Sequence, residues 1–311
     1  MKRLPTLRQM TFLAALAEHG SFSRAARAAH VSQSTLSAGI KEFEDILGGQ
    51  VVDRSSRQVL FTPLGTEVLR RAVDVLTAVG DIVTVAERHR APLSGEIRLG
   101  VIPTIAPFIL PRALPPLREA FPGLRLVLRE DLTAVLLDQL RAGALDLVLM
   151  AYPYATDKLT TRVLGTDRFY VAGPASVPWA KERSVTLEQL GPKPPWLLLD
   201  DGHCLRDHAL RACAAGPNAP IPSGRADGGL QLGATSLNTL IQMVGLGLGI
   251  TLLPSMAVSD QVLAGADVIT VPLEPEGVAR EIGLAWRDGS AREADYHVLA
   301  DFLEPFVRQA A

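Results

Sequence analysis

Cysteine is nearly absent: the 311-residue chain holds two, Cys204 and Cys213. Two thiols cannot build a disulfide scaffold, nor do they supply the ligand set of a zinc module. Apolar runs long enough to span a bilayer are also missing, which excludes a membrane helix. No apolar stretch follows the charged Met1–Arg8 segment, so no secretory signal is expected. The chain lacks an HExxH metal motif and a P-loop lysine, and no metal or cofactor is expected. Aromatics are scarce at 5%, yet 48% hydrophobic residues suffice for a sizeable core. The net charge of −2 excludes a generic polyanion binder, but it is uneven. Residues 1–90 carry 12 Lys/Arg against 9 Asp/Glu, and the remaining 221 carry 19 against 24. A mildly basic front on an acidic body fits a nucleic-acid-binding head. These features together indicate a reducing, cytoplasmic setting and two domains, or three small ones.

Within the front, residues 6–18 have helical spacing, with Leu7, Met10, Leu13, Leu16 and Ala17 on one face and Gly20 as the stop. Ser21 opens a short alanine-rich helix, and Ser32 N-caps a third, whose apolar side is Leu36, Ile40, Phe43 and Leu47. The other side of this third helix presents Gln33, Ser34, Thr35, Ser37 and Lys41. With Ser32, these are short or flexible hydrogen-bonding groups suited to base edges and phosphates, though most polar faces are simply solvated. The layout is helix-turn-helix. Residues 51–62 follow as a two-stranded wing with Arg54 and Arg57 near its tip, placed for phosphates or a minor groove, or forming an ordinary basic hairpin. Thr62-Pro63 then starts a long helix with Leu64, Val68, Ala72, Val75, Val79, Ile82 and Ala86 in a near-heptad stripe. Such a stripe suits pairing with a second chain or burial in one domain.

From Glu96 onward, short apolar strands alternate with helices, which predicts an α/β fold with largely parallel sheets. GLGLG at 245–249 imitates a phosphate loop, but a helix pattern precedes it and a strand pattern follows, the reverse of a dinucleotide fingerprint.

The two cysteines lie in DGHCLRDHALRAC, residues 201–213. A helix over 205–213 would rise about 13.5 Å and put the two thiols on opposite faces. A disulfide needs Cα atoms within about 7 Å, so helix and disulfide exclude each other here. Two covalent states would then impose two conformations. Cys204 would begin the helix beside His203 and Arg206, surroundings that favour a thiolate able to attack peroxide. Cys213 lacks such neighbours and suits the role of resolving thiol. The alternative is two inert cysteines acting as small hydrophobes.

The stretches SFSRAARAAHVSQSTLSAGIKEFEDILG and DRSSRQVLFTPLG resemble LysR-type transcriptional regulators. DDGHCLRDHALRAC, followed by GATSLNTLIQMV and GITLLP, resembles the peroxide-sensing OxyR branch of that family. The resemblance runs to the C-terminus. It implies an α/β architecture with an N-terminal winged helix-turn-helix over 1–61, a linker and dimerisation helix over 62–91, and a two-lobed regulatory domain over 96–311 like a periplasmic binding protein. Lobe I would comprise about 96–165 and 269–311, lobe II about 166–268, with crossings near 163–168 and 267–269. It also implies that Cys204 is peroxidatic and Cys213 resolving, that Thr104 and Thr133 contact peroxide, that His203, Arg206 and Asp207 surround the thiol, and that Arg280 anchors the region. Double-stranded promoter DNA, hydrogen peroxide and a second copy of the chain, as homodimer or homotetramer, are the implied partners, with RNA polymerase and a thiol reductant beside them. His208 and the long Gly/Pro-rich stretch after Cys213 depart from the family pattern. A LysR-type regulator sensing a metabolite between the lobes, and a thiol peroxidase, are the rival expectations; the enzyme would have no use for a DNA-binding head.

Overall fold

The computed structural model describes residues 4–53, 59–88, 93–190, 196–200, 202–206, 208, 234, 236–274 and 279–310. The expectations for Arg54, Arg57, Asp207, Cys213 and the Gly/Pro-rich stretch fall outside the described residues. The chain divides into two compact units, Met1–His89 and Arg90–Ala311.

The first unit contains α1 (Leu7–His19), α2 (Phe22–Ala28), α3 (Gln33–Leu47), β1 (Val52–Asp53), β2 (Leu60–Phe61) and α4 (Pro63–Arg88). Thr6 caps α1 in a reciprocal box with Gln9, while α1 and α3 close on Gly20 and Gly48. Ser32 Oγ accepts from the Thr35 amide at 3.1 Å and so caps α3 as expected. The core joins Phe12, Leu13 and Leu16 of α1, Ala25 and Ala26 of α2, and Leu36, Ile40 and Phe43 of α3. Leu7 and Ala17 are exposed and Phe12 is buried, so the inward face of α1 is rotated from the expected one. The buried positions of α1 join one core with α2 and α3, and Phe12 lies against Gly39 of α3. β1 and β2 pair antiparallel, Val52 opposite Phe61, as the base of the expected wing. The apolar stripe of α4 divides: Ala72 is buried, whereas Leu64, Val75 and Ile82 are exposed, Ile82 to 69%.

The second unit is built on one mixed sheet of eight strands. In chain order its elements are β3 (Gly95–Val101), α5 (Ala106–Ala120), β4 (Leu124–Glu130), α6 (Thr133–Arg141), β5 (Leu147–Tyr152), β6 (Leu159–Pro174), β7 (Val185–Thr186), α7 (Leu237–Gly245), β8 (Thr251–Pro254), α8 (Asp260–Leu263), β9 (Val268–Glu274), β10 (Ala279–Arg287) and α9 (Glu293–Ala310). Two cores form. One gathers β3, β5, β10, α5, α6 and α9, here lobe I; the other gathers β8, β9, α7 and the far half of β6, here lobe II.

The largely parallel sheet is corrected. β3 runs parallel to β4 and β5, but β10 pairs antiparallel with β5 and β6, and β6 pairs antiparallel with β8 and β9. The long strand β6 serves both lobes: Leu159–Arg168 lies against β10 and Phe169–Pro174 against β8 and β9. β6 changes partners between Arg168 and Phe169. The return comes later than 267–269, because β9 still pairs with the lobe II half of β6 and β10 is the strand that re-enters lobe I. Among the described residues of WLLLDD, Trp196 and Leu199 form isolated bridges, with Ile250 and Ala234. The GLGLG segment does connect a helix to a strand, α7 to β8.

Where the chain enters this unit it is clamped. Asp295, in the first turn of α9, accepts from the Leu93 amide at 3.2 Å and from Arg292 Nε at 3.0 Å. Arg292 also donates to the carbonyls of Ser94 and Glu96. Leu93 is held in the left-handed region at φ 50°, a conformation that costs a leucine about 1 kcal/mol or more. Both charges of the clamp are at least nine-tenths buried, so removing one strands the other. Asp295→Ala should lower the stability of this unit by about 3 kcal/mol. A urea titration followed by tryptophan fluorescence checks this, since all three tryptophans, Trp179, Trp196 and Trp286, lie in the second unit. An unchanged midpoint would show that the clamp carries no load.

Candidate functional site

Cys204 begins a helical turn, Cys204-Leu205-Arg206, that continues at His208. The turn is introduced by Gly202 at φ 96°, a region that suits glycine, and a Cβ there would approach Leu132 Cδ1 to 3.1 Å. Gly202 thus sets the turn directly against the start of α6. Cys204 is 4% exposed and belongs to the core of lobe I, together with Met256. A segment following lobe II strands therefore plants its sulfur in the opposite lobe.

A cavity of about 430 Å³ opens between the lobes beside this turn. Thr104, Phe108 and Glu130 line it from lobe I, and His203, Ser236 and Ile241 from lobe II. The structure thus brings Thr104 and His203 to one space. Thr133 is not on the cavity lining; it is the first residue of α6, 1% exposed, and its hydroxyl has no hydrogen-bond partner among the described residues. A buried hydroxyl in that condition has unused capacity to donate and accept.

Burial lowers the pKa of His203 below its ordinary 6.5, with Asp200 opposing. The imidazole is consequently neutral near pH 7. In that form it offers the cavity a hydrogen-bonding group. Arg206 Nη1 donates to the Leu199 carbonyl at 3.1 Å, tying the turn back to the preceding strand-like segment. His208, a departure from the family pattern, places Nε2 3.1 Å from the Pro153 carbonyl and so joins the turn to lobe I.

Arg280 is fully buried and holds the site from below. Its Nε donates to Asp167 Oδ2 at 2.9 Å, its Nη1 to Thr104 Oγ1 at 2.9 Å, and its Nη2 to the Thr104 carbonyl at 3.0 Å. Nη2 also approaches Met256 Sδ at 3.6 Å. Asp167 and Met256 escaped the sequence reading. Asp167 sits in a strand pattern, GTDRFYV, where an acid reads as an outward-facing residue. Its only sequence signal is an arginine more than a hundred positions away.

In the first unit, Gln33, Ser34, Thr35 and Lys41 of α3 are exposed and Ser37 is half-buried. Ser32 Oγ lies 2.8 Å from both Ser34 Oγ and Thr35 Oγ1, and Gln33 Oε1 accepts from Ser23 Oγ at 2.6 Å. The side chains at the α3 start are thus pre-ordered, with the positive end of the helix dipole beneath them. Such a surface can take phosphates and base edges.

Two family descriptions match the chain: "Bacterial regulatory helix-turn-helix protein, lysR family" over residues 7–66 and "LysR substrate binding domain" over residues 90–307. The Escherichia coli DNA-binding transcriptional dual regulator OxyR is 38% identical over 297 residues, covering 96% of this chain and 94% of its own. The regulator EstR of Acinetobacter baylyi is 36% identical over 308 residues, covering 98% of each. A full-length OxyR variant from Pseudomonas aeruginosa superposes with a TM-score of 0.80 at 33% identity, covering 99% of this chain and 97% of that one. A Corynebacterium glutamicum OxyR cysteine mutant with H2O2 bound gives 0.67 at 33% identity, covering 100% and 95%.

The depressed His203 pKa has a stability consequence. The unfolded chain takes up a proton near pH 6.5 and the folded chain resists it, so stability falls as pH drops through that value. His203→Gln should remove this component. Between about pH 7 and pH 5 the thermal midpoint of wild type should fall further than that of the variant, which carries no group to protonate there. Parallel curves would contradict the buried, neutral imidazole.

Proposed function

The chain belongs to the LysR family of bacterial helix-turn-helix regulators, and we propose that it senses hydrogen peroxide at Cys204 and converts the oxidation into altered binding of promoter DNA. One observation carries this reading: a buried thiol starts a helical turn beside a cavity whose hydroxyl, Thr104, is held by a buried arginine. The peroxide reported with the Corynebacterium relative supports it.

The chemistry follows in two balanced steps. The Cys204 thiolate attacks one peroxide oxygen; the S–O bond forms, the O–O bond breaks, and its electron pair leaves on the second oxygen as hydroxide. Sulfur is oxidised to the sulfenic acid and peroxide is reduced. The Cys213 thiol then attacks the sulfenic sulfur, forming the disulfide and releasing water. Thr104 and Thr133 supply the hydrogen bonds that peroxide needs, and His203 a neutral one. Arg206 ties the turn to the Leu199 carbonyl, and Asp207 orients a water or a basic neighbour. A disulfide to a residue nine positions on unwinds the turn and remodels the region around it.

The first unit supplies the output. Ser32, Gln33, Ser34, Thr35, Ser37 and Lys41 face double-stranded DNA, and Arg54 and Arg57 hold the flanking backbone. The exposed apolar residues Val75 and Ile82 on α4 pack against a second copy, giving a homodimer or homotetramer. The protein is a cytoplasmic regulator that works with RNA polymerase and is reset by a thiol reductant, and not an enzyme with turnover.

A second reading has its own support. The cavity of about 430 Å³ exceeds what a peroxide molecule fills, its lining is largely apolar, and EstR is almost as similar as OxyR. Under that reading a small apolar metabolite is the inducer and the thiols are incidental.

Mass and thiol counts before and after equimolar peroxide decide between the two. Wild type should lose two hydrogens, and Cys213→Ser should trap one oxygen at Cys204. Cys204→Ser should abolish the peroxide response of promoter binding. Unreactive thiols in both proteins would favour the metabolite. On the DNA side, Lys41→Ala should reduce the slope of log K against log salt by about 0.9, the share of one phosphate contact; an unchanged slope would remove Lys41 from the interface.

A further inference from the structure

Arg280 and Thr104 between them determine the direction of a hydrogen bond. A guanidinium carries only N–H donors, so the Thr104 oxygen must accept from Arg280 Nη1. The Thr104 carbonyl is likewise taken by Nη2. The single hydroxyl proton must therefore point elsewhere. No acceptor for it is found among the described residues, while Thr104 lines the cavity between the lobes. Thr104 is thus set to donate into that cavity.

The orientation depends on a residue that touches neither Thr104 nor the cavity. Asp167 lies directly opposite Arg280 in the antiparallel β6–β10 register, and both side chains are 0% exposed. Asp167 Oδ2 accepts from Arg280 Nε at 2.9 Å. Oδ1 accepts from Ser255 Oγ at 2.7 Å and from the Met256 amide at 3.2 Å. Both oxygens act only as acceptors, and every partner is a donor. This arrangement admits a carboxylate and no neutral amide, since an asparagine would turn an N–H toward one set of donors.

We infer that Asp167 is a positioning residue for the peroxide reaction, acting through Arg280 to hold the Thr104 hydroxyl as a donor to the departing peroxide oxygen. The inference rests on the peroxide-sensing reading. In that step sulfur takes one oxygen, the O–O electron pair leaves with the other, and Thr104 gives that hydroxide a hydrogen bond and keeps its own proton. The Met256 contacts extend the same device to the sulfur's surroundings: Asp167 holds its amide, Arg280 faces its thioether, and its side chain shares the core with Cys204.

The test compares two reactions of one thiol. Peroxide oxidation has a leaving oxygen that needs a donor; alkylation by iodoacetamide at the same pH needs the thiolate but no such donor. Asp167→Asn should slow peroxide oxidation of Cys204 about tenfold and change alkylation less than twofold. Thr104→Val should slow peroxide oxidation at least as much. Adding Asp167→Asn to Thr104→Val should then cost less than a further twofold, because the intermediary is gone. Ser255→Ala, which withdraws one donor from Asp167 and leaves the ion pair, gives a milder variant should Asp167→Asn fail to fold; it should slow peroxide oxidation about twofold, and only when Thr104 is present. Equal loss in both reactions would mean general disruption of the pocket and would overturn the inference, as would full additivity with Thr104→Val or an unchanged peroxide rate. If wild-type Cys204 ignores peroxide, the sensing reading falls and this inference with it. If wild type reacts and only the Asp167 predictions fail, sensing stands without it.

Discussion

An aspartate and an arginine sit at 0% exposure where the two lobes of the second unit join. Taking a carboxylate and a guanidinium out of water costs several kcal/mol each, and their attraction repays this only when the remaining hydrogen-bonding capacity is filled. Here it is. Asp167 takes donors from β10, from the Ser255 side chain and from the Met256 backbone; Arg280 spends its Nε on Asp167 and its Nη groups on Thr104 and Met256. The pair therefore joins the end of β8, the two crossing strands and the end of β3 at one point. Losing either charge would leave the other buried without compensation, and both lobes would have to move to let water reach it.

That joint gives the site its character. In a two-lobed fold the crossing strands are the natural place for a hinge. Here the crossing is held by a buried polar network, and Cys204 from the far side is seated in the core of lobe I. Closure of the lobes around a ligand would strain both. The turn after Gly202 is tied to lobe I as well, among other contacts by His208, whose Nε2 lies 3.1 Å from the Pro153 carbonyl.

Much of the front was legible because its signals are local. Caps at Ser32 and Thr62, glycine stops, and four-three spacing of Leu36, Ile40 and Phe43 act within a few residues, and the helices follow. Elsewhere long-range burial outweighs a local signal. Pro107, Pro111 and Pro115 argue against a helix, yet α5 runs through all of them. Their four-residue spacing keeps them on the solvent side, while Ile109, Ala113 and Leu117 bury against the sheet. Burial of that face outweighs the lost backbone bonds. Likewise the period-two pattern identified individual strands but not the direction in which they pair, which is why the antiparallel β10 was not foreseen.

The sequence by itself determined the helix-turn-helix, the alternation of strands and helices behind it, and the resemblance of the segment around Cys204 to a family motif. Each is written in neighbouring residues, whose caps, spacing and chemistry act at short range. Only the tertiary structure decided that Arg280 reaches Thr104, that Asp167 stands behind it, that Cys204 packs in the lobe opposite to its flanking strands, and that burial leaves His203 neutral. Those outcomes depend on which groups lose water together, and residues 104, 167, 204, 256 and 280 meet only once β6 and β10 have paired across the whole unit.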